Sequence, residues 1–276
     1  MKMHLGLSVP VSSLSIVLAL FARARAAATL AADYQVQNTY ASSVGTIGPL
    51  TVVGSADDVS FTNDVDVDGN TQTVLSTEIN GESMPDDGGG VQAQTAGFIS
   101  SDDYSVVLLA DFNLQPDLLA TKVFDFQNLS SDDGLYINDA TGLLYFNGVA
   151  AATGGTPAVS GTYTQIVLTR DGATGEVSVY QDGSLAFDFD DSSDLAVLGD
   201  SVSPSSNAYL TVFKDDDTGV GSGVTDETSV GDIARLRLYD GVLTAGQVAA
   251  LDTVVPEPLS LGSLLLGAGL ILRRRR

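Results

Sequence analysis

The chain has 276 residues, with 12 basic and 35 acidic side chains, one histidine, and no cysteine or tryptophan. Without cysteine, neither a disulfide nor thiol chemistry is available. Five basic and 34 acidic residues lie between positions 33 and 255, so this part carries a net charge of −29. Such a field repels nucleic acid and anionic lipid and attracts divalent cations, which argues against a nucleic-acid-binding protein.

The first 32 residues have the order of a secretory signal peptide. Lys2 and His4 precede the apolar stretch Val9–Leu20, and small residues follow it through Ala32. Two overlapping A-x-A motifs between positions 24 and 28 are candidate cleavage sites. Arginines directly after the apolar stretch are atypical and leave an uncleaved anchor as the alternative. We expect residues 1–32 to form a signal helix that directs export.

The last 23 residues, 254–276, form a second apolar end. The motif Pro256-Glu257-Pro258 is followed by the apolar segment Leu259–Leu272 and then by four arginines. A helix of about 14 residues rises about 21 Å, which is short of the ~30 Å hydrocarbon core of a bilayer. We expect a short transmembrane helix whose arginines stay cytoplasmic, with the acidic part of the chain outside.

This order of three parts resembles the PEP-CTERM sorting signal of Gram-negative bacteria. The resemblance implies recognition and cleavage at Pro256, Glu257 and Pro258 by an exosortase-type membrane protease. It also implies an outer-surface or extracellular-matrix protein, anchored at least transiently through its tail, in a species that secretes exopolysaccharide. A plain C-terminal anchor is the alternative.

Between the two ends, residues 33–253 show the pattern of many short strands. Alternating apolar residues on both sides of Asp182-Gly183 predict a hairpin over Glu176–Asp190, because this dipeptide suits a type I′ turn. A second hairpin is predicted to pair Leu135–Ile137 with Leu143–Phe146. Further predicted strands are Ser105–Phe112, Lys122–Phe126, Gln165–Thr169, Ala208–Phe213 and Ile233–Tyr239.

Thr244 and Gln247 predict a capping box at the start of one short helix, which we expect to run to about Leu251. The fold class is therefore all-β: a two-sheet antiparallel jelly-roll sandwich with one short C-terminal helix, apart from the signal and transmembrane helices.

Several stretches carry a family resemblance. These are Tyr163–Gly172 with Val179–Gly183, Gly231–Leu243 with the helix after it, Phe124–Phe126 with Asp133–Tyr136, and Phe213–Asp217. In this order they resemble the LamG-like, concanavalin A-type jelly rolls, a fold of lectins and glucanases. A Tyr at position 163 replaces the tryptophan usual there. The resemblance implies a lectin-like domain that binds carbohydrate and often holds calcium at the rim of the sandwich.

The residues available for catalysis are few. The single histidine, His4, lies in the signal segment, so the domain lacks both His and Cys for nucleophilic or zinc chemistry. A carboxylate-dependent glycan hydrolase needs only two acids. The nearest pattern is Glu78-Ile79-Asn80-Gly81-Glu82, in which Asn80 stands where a glucanase has its central acid and a turn follows. We therefore expect no enzyme.

Two acidic segments are candidate calcium sites. Asp216, Asp217 and Glu227 flank one loop, and Ca²⁺ would relieve the repulsion among their carboxylates. The second segment, with Asp64, Asp66 and Asp68, has the opening of an EF-hand loop but lacks the glutamate at the twelfth position. The alternatives are a solvated loop at the first segment and an acidic turn at the second.

The expected function is adhesion or association with exopolysaccharide on the cell surface, without catalysis. A glycan hydrolase and a purely structural surface component are the alternatives. Aromatic side chains that could stack on sugars lie in or beside predicted strands, and the pattern fits core or cross-strand packing equally well, so it does not select a binding face. These side chains are Tyr136, Tyr145, Tyr180 and Tyr209.

Overall fold

The structure is a computed structural model. It describes residues 27–65, 71–78, 88–115, 120–199, 208–215 and 229–252. Strands within these ranges form two antiparallel sheets, as predicted. The apolar stretch of the signal segment and the whole sorting tail lie outside the described residues. Within those ranges, the structure contains no helix that is long and apolar enough to span a bilayer.

Sheet A has the order β13-β12-β11-β6-β15-β4-β3, and β1 pairs with the β15 edge that β4 also uses. Its strands are β1 (Thr29–Tyr34), β3 (Val59–Val65), β4 (Thr71–Thr77), β6 (Tyr104–Phe112), β11 (Thr164–Asp171), β12 (Glu176–Gln181), β13 (Ser184–Asp190) and β15 (Gly231–Asp240).

Sheet B has the order β10-β9-β8-β7-β14-β5-β2. Its strands are β2 (Thr51–Val53), β5 (Gly90–Gln94), β7 (Ala120–Asp125), β8 (Gly134–Asn138), β9 (Leu144–Asn147), β10 (Thr153–Gly154) and β14 (Tyr209–Val212). A short 3₁₀ helix, Ala56–Asp58, connects β2 to β3.

One hydrophobic core fills the space between the sheets. Alternate residues of the strands point inward, as the two-residue period of a strand requires. Sheet A contributes side chains such as Leu108 and Leu236, and sheet B contributes Leu135 and Phe146. Phe126 lies at the centre of an aromatic group, with its ring stacked 6.0 Å from the ring of Phe146. The architecture is a two-sheet sandwich consistent with a jelly roll.

Both predicted hairpins are confirmed. β12 and β13 pair around Asp182 and Gly183, whose φ angles of 47° and 77° are the positive values that a type I′ turn requires. β8 pairs with β9 in the second hairpin, in which Leu135 faces Phe146. These local pairings set the register of one end of each sheet.

The single α-helix in the described ranges, α1 (Ala245–Ala249), begins at the predicted capping box. The Thr244 side chain accepts a hydrogen bond from the Gln247 backbone, and the Gln247 side chain bonds back to the Thr244 backbone. Leu243 and Val248 pack on Val107 and Val167, which project from the outer face of sheet A. The helix ends two residues before the predicted Leu251.

β1 begins inside the segment predicted as the signal peptide. It spans Thr29–Tyr34 and pairs with Leu236–Asp240 of β15. Both candidate cleavage motifs end by Ala28, so either would leave this strand complete. Residues 29–32 thus belong to the sandwich in the structure.

Candidate functional site

A row of polar and aromatic side chains crosses the outer face of sheet B. Lys122 on β7 pairs with Tyr136 on β8, Tyr136 with Tyr145 on β9, and Tyr145 with Thr153 on β10. Their strand neighbours, such as Leu135 and Leu144, belong to the core, so these four residues face away from it. We call Lys122, Tyr136, Tyr145 and Thr153 the outer-face row.

The Lys122 ammonium is fully buried, and acceptors surround it. Nζ donates hydrogen bonds to Tyr136 Oη at 2.6 Å, Asp215 Oδ1 at 2.9 Å and the Asp133 carbonyl at 3.1 Å. The three protons of a lysine ammonium are thereby matched by three acceptors. Asp125 Oδ2, also buried, lies 3.8 Å from Nζ. Such pairing offsets the cost of burying the charge.

Tyr136 connects this buried cation to the surface. Its hydroxyl lies 2.8 Å from Asp132 Oδ1 and 2.9 Å from Asp215 Oδ1, and its single proton can be donated to one of them at a time. Asn147 Nδ2 donates to Asp132 Oδ2 at 2.9 Å and to the Asp132 carbonyl at 2.8 Å. The exposed Asp132 carboxylate is therefore held in one orientation from two sides.

Tyr145 is the half-buried aromatic ring of the outer-face row. Its ring stacks on that of Tyr136, with centroids 5.4 Å apart and planes 18° from parallel. The Lys122 ammonium lies over the Tyr136 ring, 4.3 Å from its centroid. An aromatic ring fixed next to an oriented carboxylate and amide is an arrangement that can stack on an apolar ligand face and hydrogen-bond its hydroxyl groups.

Most of the sequence-predicted site residues lie outside the described ranges. These are the calcium ligands Asp216, Asp217, Glu227, Asp66 and Asp68, the sorting motif Pro256-Glu257-Pro258, and Glu82 of the hydrolase alternative. Asp215, directly before the first calcium segment, lies beside Tyr136, whose hydroxyl also contacts Asp132. The described residues alone include no group of three or more His, Cys, Asp or Glu side chains placed to hold a metal ion.

Asp64, the described member of the second calcium segment, lies within strand β3. Its Oδ2 accepts a hydrogen bond of 2.6 Å from the Tyr163 hydroxyl. Tyr163 in turn packs against Val74, Leu109 and Ala234 on the outer face of sheet A. Burial first, and then the hydrogen bond to Asp64, raise the pKa of Tyr163.

Two more carboxylates lie near Asp64 on this face. Asp232 on β15 and Asp111 on β6 are cross-strand partners, and side chains in such positions lie roughly 5 Å apart at Cβ. Burial raises the pKa of both carboxyls; repulsion from Asp64 raises both further, and repulsion from Asp111 also raises the pKa of Asp232. Hydrogen bonds oppose the shift, from the Gly161 and Thr162 backbone to Asp111 and from Ser76 to Asp232. We call Asp64, Asp111 and Asp232 the sheet A carboxylates.

The remaining candidate residues, Tyr180, Tyr209 and Glu78, lie in different environments. Tyr180 is buried beneath helix α1, in the cluster that contains Leu243 and Val248. Tyr209 is half-buried on β14, where its neighbour Leu210 belongs to the core. Glu78 follows β4, is exposed, and donates its backbone N–H to the Asp58 carbonyl at 2.8 Å.

Sequence reasoning missed the site that the structure forms around Lys122. One signal was available, because Lys122 is the single basic residue between Arg25 and Arg170. In a domain this acidic, such a lysine has many carboxylates available to pair with it. Which carboxylates it meets depends on pairing between distant strands.

No known protein-family profile matches the chain. Over 137 residues, 49% of the chain, it is 32% identical to the Sushi, von Willebrand factor type A, EGF and pentraxin domain-containing protein 1 of Rattus norvegicus. The chain spans only 4% of the length of that protein.

Solved structures resemble the sandwich more extensively. Domain 4 of AbnA, a GH43 extracellular arabinanase from Geobacillus stearothermophilus, solved in complex with arabinotriose, has a TM-score of 0.55 at 22% identity, over 81% of this chain and 98% of that one. The binding domain of botulinum neurotoxin DC in complex with rat synaptotagmin II has a TM-score of 0.53 at 12% identity, over 83% of this chain and 52% of that one. At these identities the likeness shows a shared fold.

Proposed function

We propose that this is an exported, non-catalytic surface protein whose sandwich domain binds glycan on the outer face of sheet B, around Tyr145. The observation that carries the proposal is the Tyr145 ring, stacked on Tyr136 and bordered by Asp132 and Asn147. A preformed aromatic surface with oriented polar neighbours needs little reorganisation to bind a sugar.

Structurally similar proteins that bind carbohydrate support a glycan as the partner. Domain 4 of the arabinanase was solved with arabinotriose. The cell entry of botulinum neurotoxin type C, a further relative with a TM-score of 0.52, is described as dependent on interaction with two ganglioside molecules. Adhesion to exopolysaccharide or association with the matrix is the role proposed for this domain.

A glycan array with the full-length chain tests this proposal. We expect specific binding that Tyr145→Ala removes and that Tyr40→Ala preserves. Tyr40 is a matched control because it is also half-buried and contacts another ring, Phe61, at 4.9 Å. A blank array for a folded wild-type chain would reject the glycan-binding role and favour a purely structural surface component.

A carboxylate-dependent glycan hydrolase is the second candidate. The sheet A carboxylates favour it more than Glu78 and Glu82 do, because Asp111 and Asp232 are cross-strand partners with raised pKa values. A raised carboxyl pKa suits a general acid. A retaining mechanism needs two carboxyl groups about 5–5.5 Å apart, which cross-strand neighbours on one face of a sheet can reach. Sugar release from a polysaccharide panel that is lost in both Asp111→Asn and Asp232→Asn would establish this activity in place of simple binding.

Export and sorting are proposed from the two ends of the chain. The support is the order of the signal segment before β1 and of Pro256-Glu257-Pro258, the apolar segment and the arginines after α1. An exosortase-type protease is the proposed partner of the tail. Fractionation of a Gram-negative host that makes this enzyme should place the full chain outside the cytoplasm. Deletion of residues 256–276 should release it from membranes, and retention of both forms in the cytoplasm would contradict the proposal.

A further inference from the structure

The basic side chains of the domain are buried. All five that lie between positions 33 and 255 are between 0% and 9% exposed. They are Lys122, Arg170, Lys214, Arg235 and Arg237. The sandwich therefore offers no exposed base to a ligand, although it carries many exposed carboxylates.

Most of these buried bases form ion pairs with carboxylates. Arg170 contacts Asp191 and Asp194 at 2.9 Å and Asp102 at 3.3 Å. Arg235 contacts Asp33 at 2.8 Å, and Arg237 contacts Asp252 at 2.8 Å. Lys122, in the outer-face row beside Tyr136, donates its three protons within the protein. An anionic sugar at this site would find no cation to pair with.

Among the described residues of the site, Asp132 presents an exposed carboxylate. Its Oδ2 accepts a hydrogen bond from Asn147, and its Oδ1 lies 2.8 Å from the Tyr136 hydroxyl. A carboxylate oxygen has two lone pairs, so each oxygen can accept a further donor. Asn147 stands two residues after Tyr145 on the same face, which is about 7 Å along a strand. The ring of Tyr145 and the carboxylate of Asp132 are therefore within reach of one short oligosaccharide.

We infer that the glycan selected by this site carries free amino groups. The inference rests on the proposed function and names its ligand class: a polymer of amino sugars whose ammonium groups bind Asp132 while a sugar face stacks on Tyr145. The net charge of −29 attracts such a polycation. The same field, with no exposed base to offset it, repels uronate and sulfate polymers.

The test compares three oligosaccharides of equal length by calorimetry with the full-length chain. They are a glucosamine oligomer, its N-acetylated form and an oligogalacturonate, at a mildly acidic pH where the amino groups are protonated. We expect the glucosamine oligomer to bind at least about tenfold more tightly than its acetylated form, equivalent to about 1.4 kcal/mol. Added NaCl should reduce that preference by screening.

Asp132→Asn should remove the preference, and Asp188→Asn should not. Asp188 is an exposed carboxylate on β13 of the other sheet and is the matched control. Should Asp132→Asn fail to fold, the salt dependence of the wild-type chain still tests whether the preference for amino sugars is electrostatic. Equal or tighter binding of the acetylated or the anionic oligomer would overturn the amino-sugar inference and leave glycan binding standing. Binding of none of the glycans on the array or in this test would overturn both.

Discussion

Lys122 and Asp215 are 93 residues apart in the chain, yet Lys122 Nζ and Asp215 Oδ1 are 2.9 Å apart in the fold. The lysine is fully buried, and the aspartate side chain is 13% exposed. The pair fixes the end of β14 against β7 on the face that carries Tyr145. The ordered state of the candidate glycan site therefore depends on a cation that no ligand can reach.

Removing this cation should strongly destabilise the domain. We expect Lys122→Met to lower the free energy of unfolding by about 3–5 kcal/mol, because Asp125 and Asp215 would remain buried without their cation. Urea unfolding monitored by circular dichroism measures the change. In Lys122→Met/Asp215→Asn the loss should be smaller than the sum of the two single losses. Additive losses would mean that the pair does not interact energetically.

The buried pair of Asp33 and Arg235 predicts a dependence of stability on acid. Burial alone would raise the pKa of Asp33, but hydrogen bonds from Arg235, Gln35 and Ser43 and the Arg235 charge hold it below its usual range. A lowered folded pKa gives stability that is complete above the ordinary pKa of 3.8 and is lost as the pH falls through the folded value.

We expect Asp33→Asn to cost about 1.5–3 kcal/mol at neutral pH, the scale of hydrogen bonds to a charged group. Wild-type Asp33 becomes protonated in acid. The difference in the free energy of unfolding between wild type and Asp33→Asn should therefore narrow as the pH falls below 3.8. Unfolding curves of both proteins across this range measure the gap. A gap that stays constant with pH would contradict the role given to the Asp33 charge.

The sheet A carboxylates predict a pH dependence of stability with the opposite sign. Burial raises the pKa of Asp232, so the folded state binds the proton more tightly than the unfolded state does. The ionised group therefore reduces stability above its folded pKa, and this cost disappears as the pH falls below the ordinary value of 3.8. Asp232→Asn should accordingly raise the melting temperature at neutral pH but not in acid. The exposed Asp188→Asn is the control, and an unchanged or lower neutral melting temperature for Asp232→Asn would refute the prediction.

Calcium is proposed to stabilise the domain through Asp216, Asp217 and Glu227. Occupation of a native-state site a hundredfold above its Kd would add about 2.7 kcal/mol. The melting temperature in millimolar CaCl₂ should be higher than in EDTA or in NaCl of equal ionic strength, since screening alone cannot replace oxygen coordination. The shift should vanish in Asp216→Asn/Glu227→Gln. If the shift persists in this variant, the segment with Asp64, Asp66 and Asp68 becomes the site to test. An unchanged melting temperature in CaCl₂ would contradict the proposal that calcium binds.

Local signals explain what the sequence could predict. The hairpin at Asp182-Gly183 and the helix cap at Thr244 depend on neighbouring residues, and both are present. β1 was not predicted, because its alanine-rich sequence continues the small residues of the signal segment. The site around Lys122 was also missed, because its partners come from three separate segments, and their meeting is decided by pairing between distant strands.

The position of β15 in sheet A has a consequence for the order of folding. It is the last strand in the described part of the chain, yet it pairs with β1, β4 and β6. Contacts of such long sequence separation form slowly, because a large loop must close first. A chain still emerging from a ribosome lacks the strand that joins these three, so sheet A cannot close until residue 240 is free. Assembly of the sandwich is thereby delayed until residues 231–240 have been synthesised.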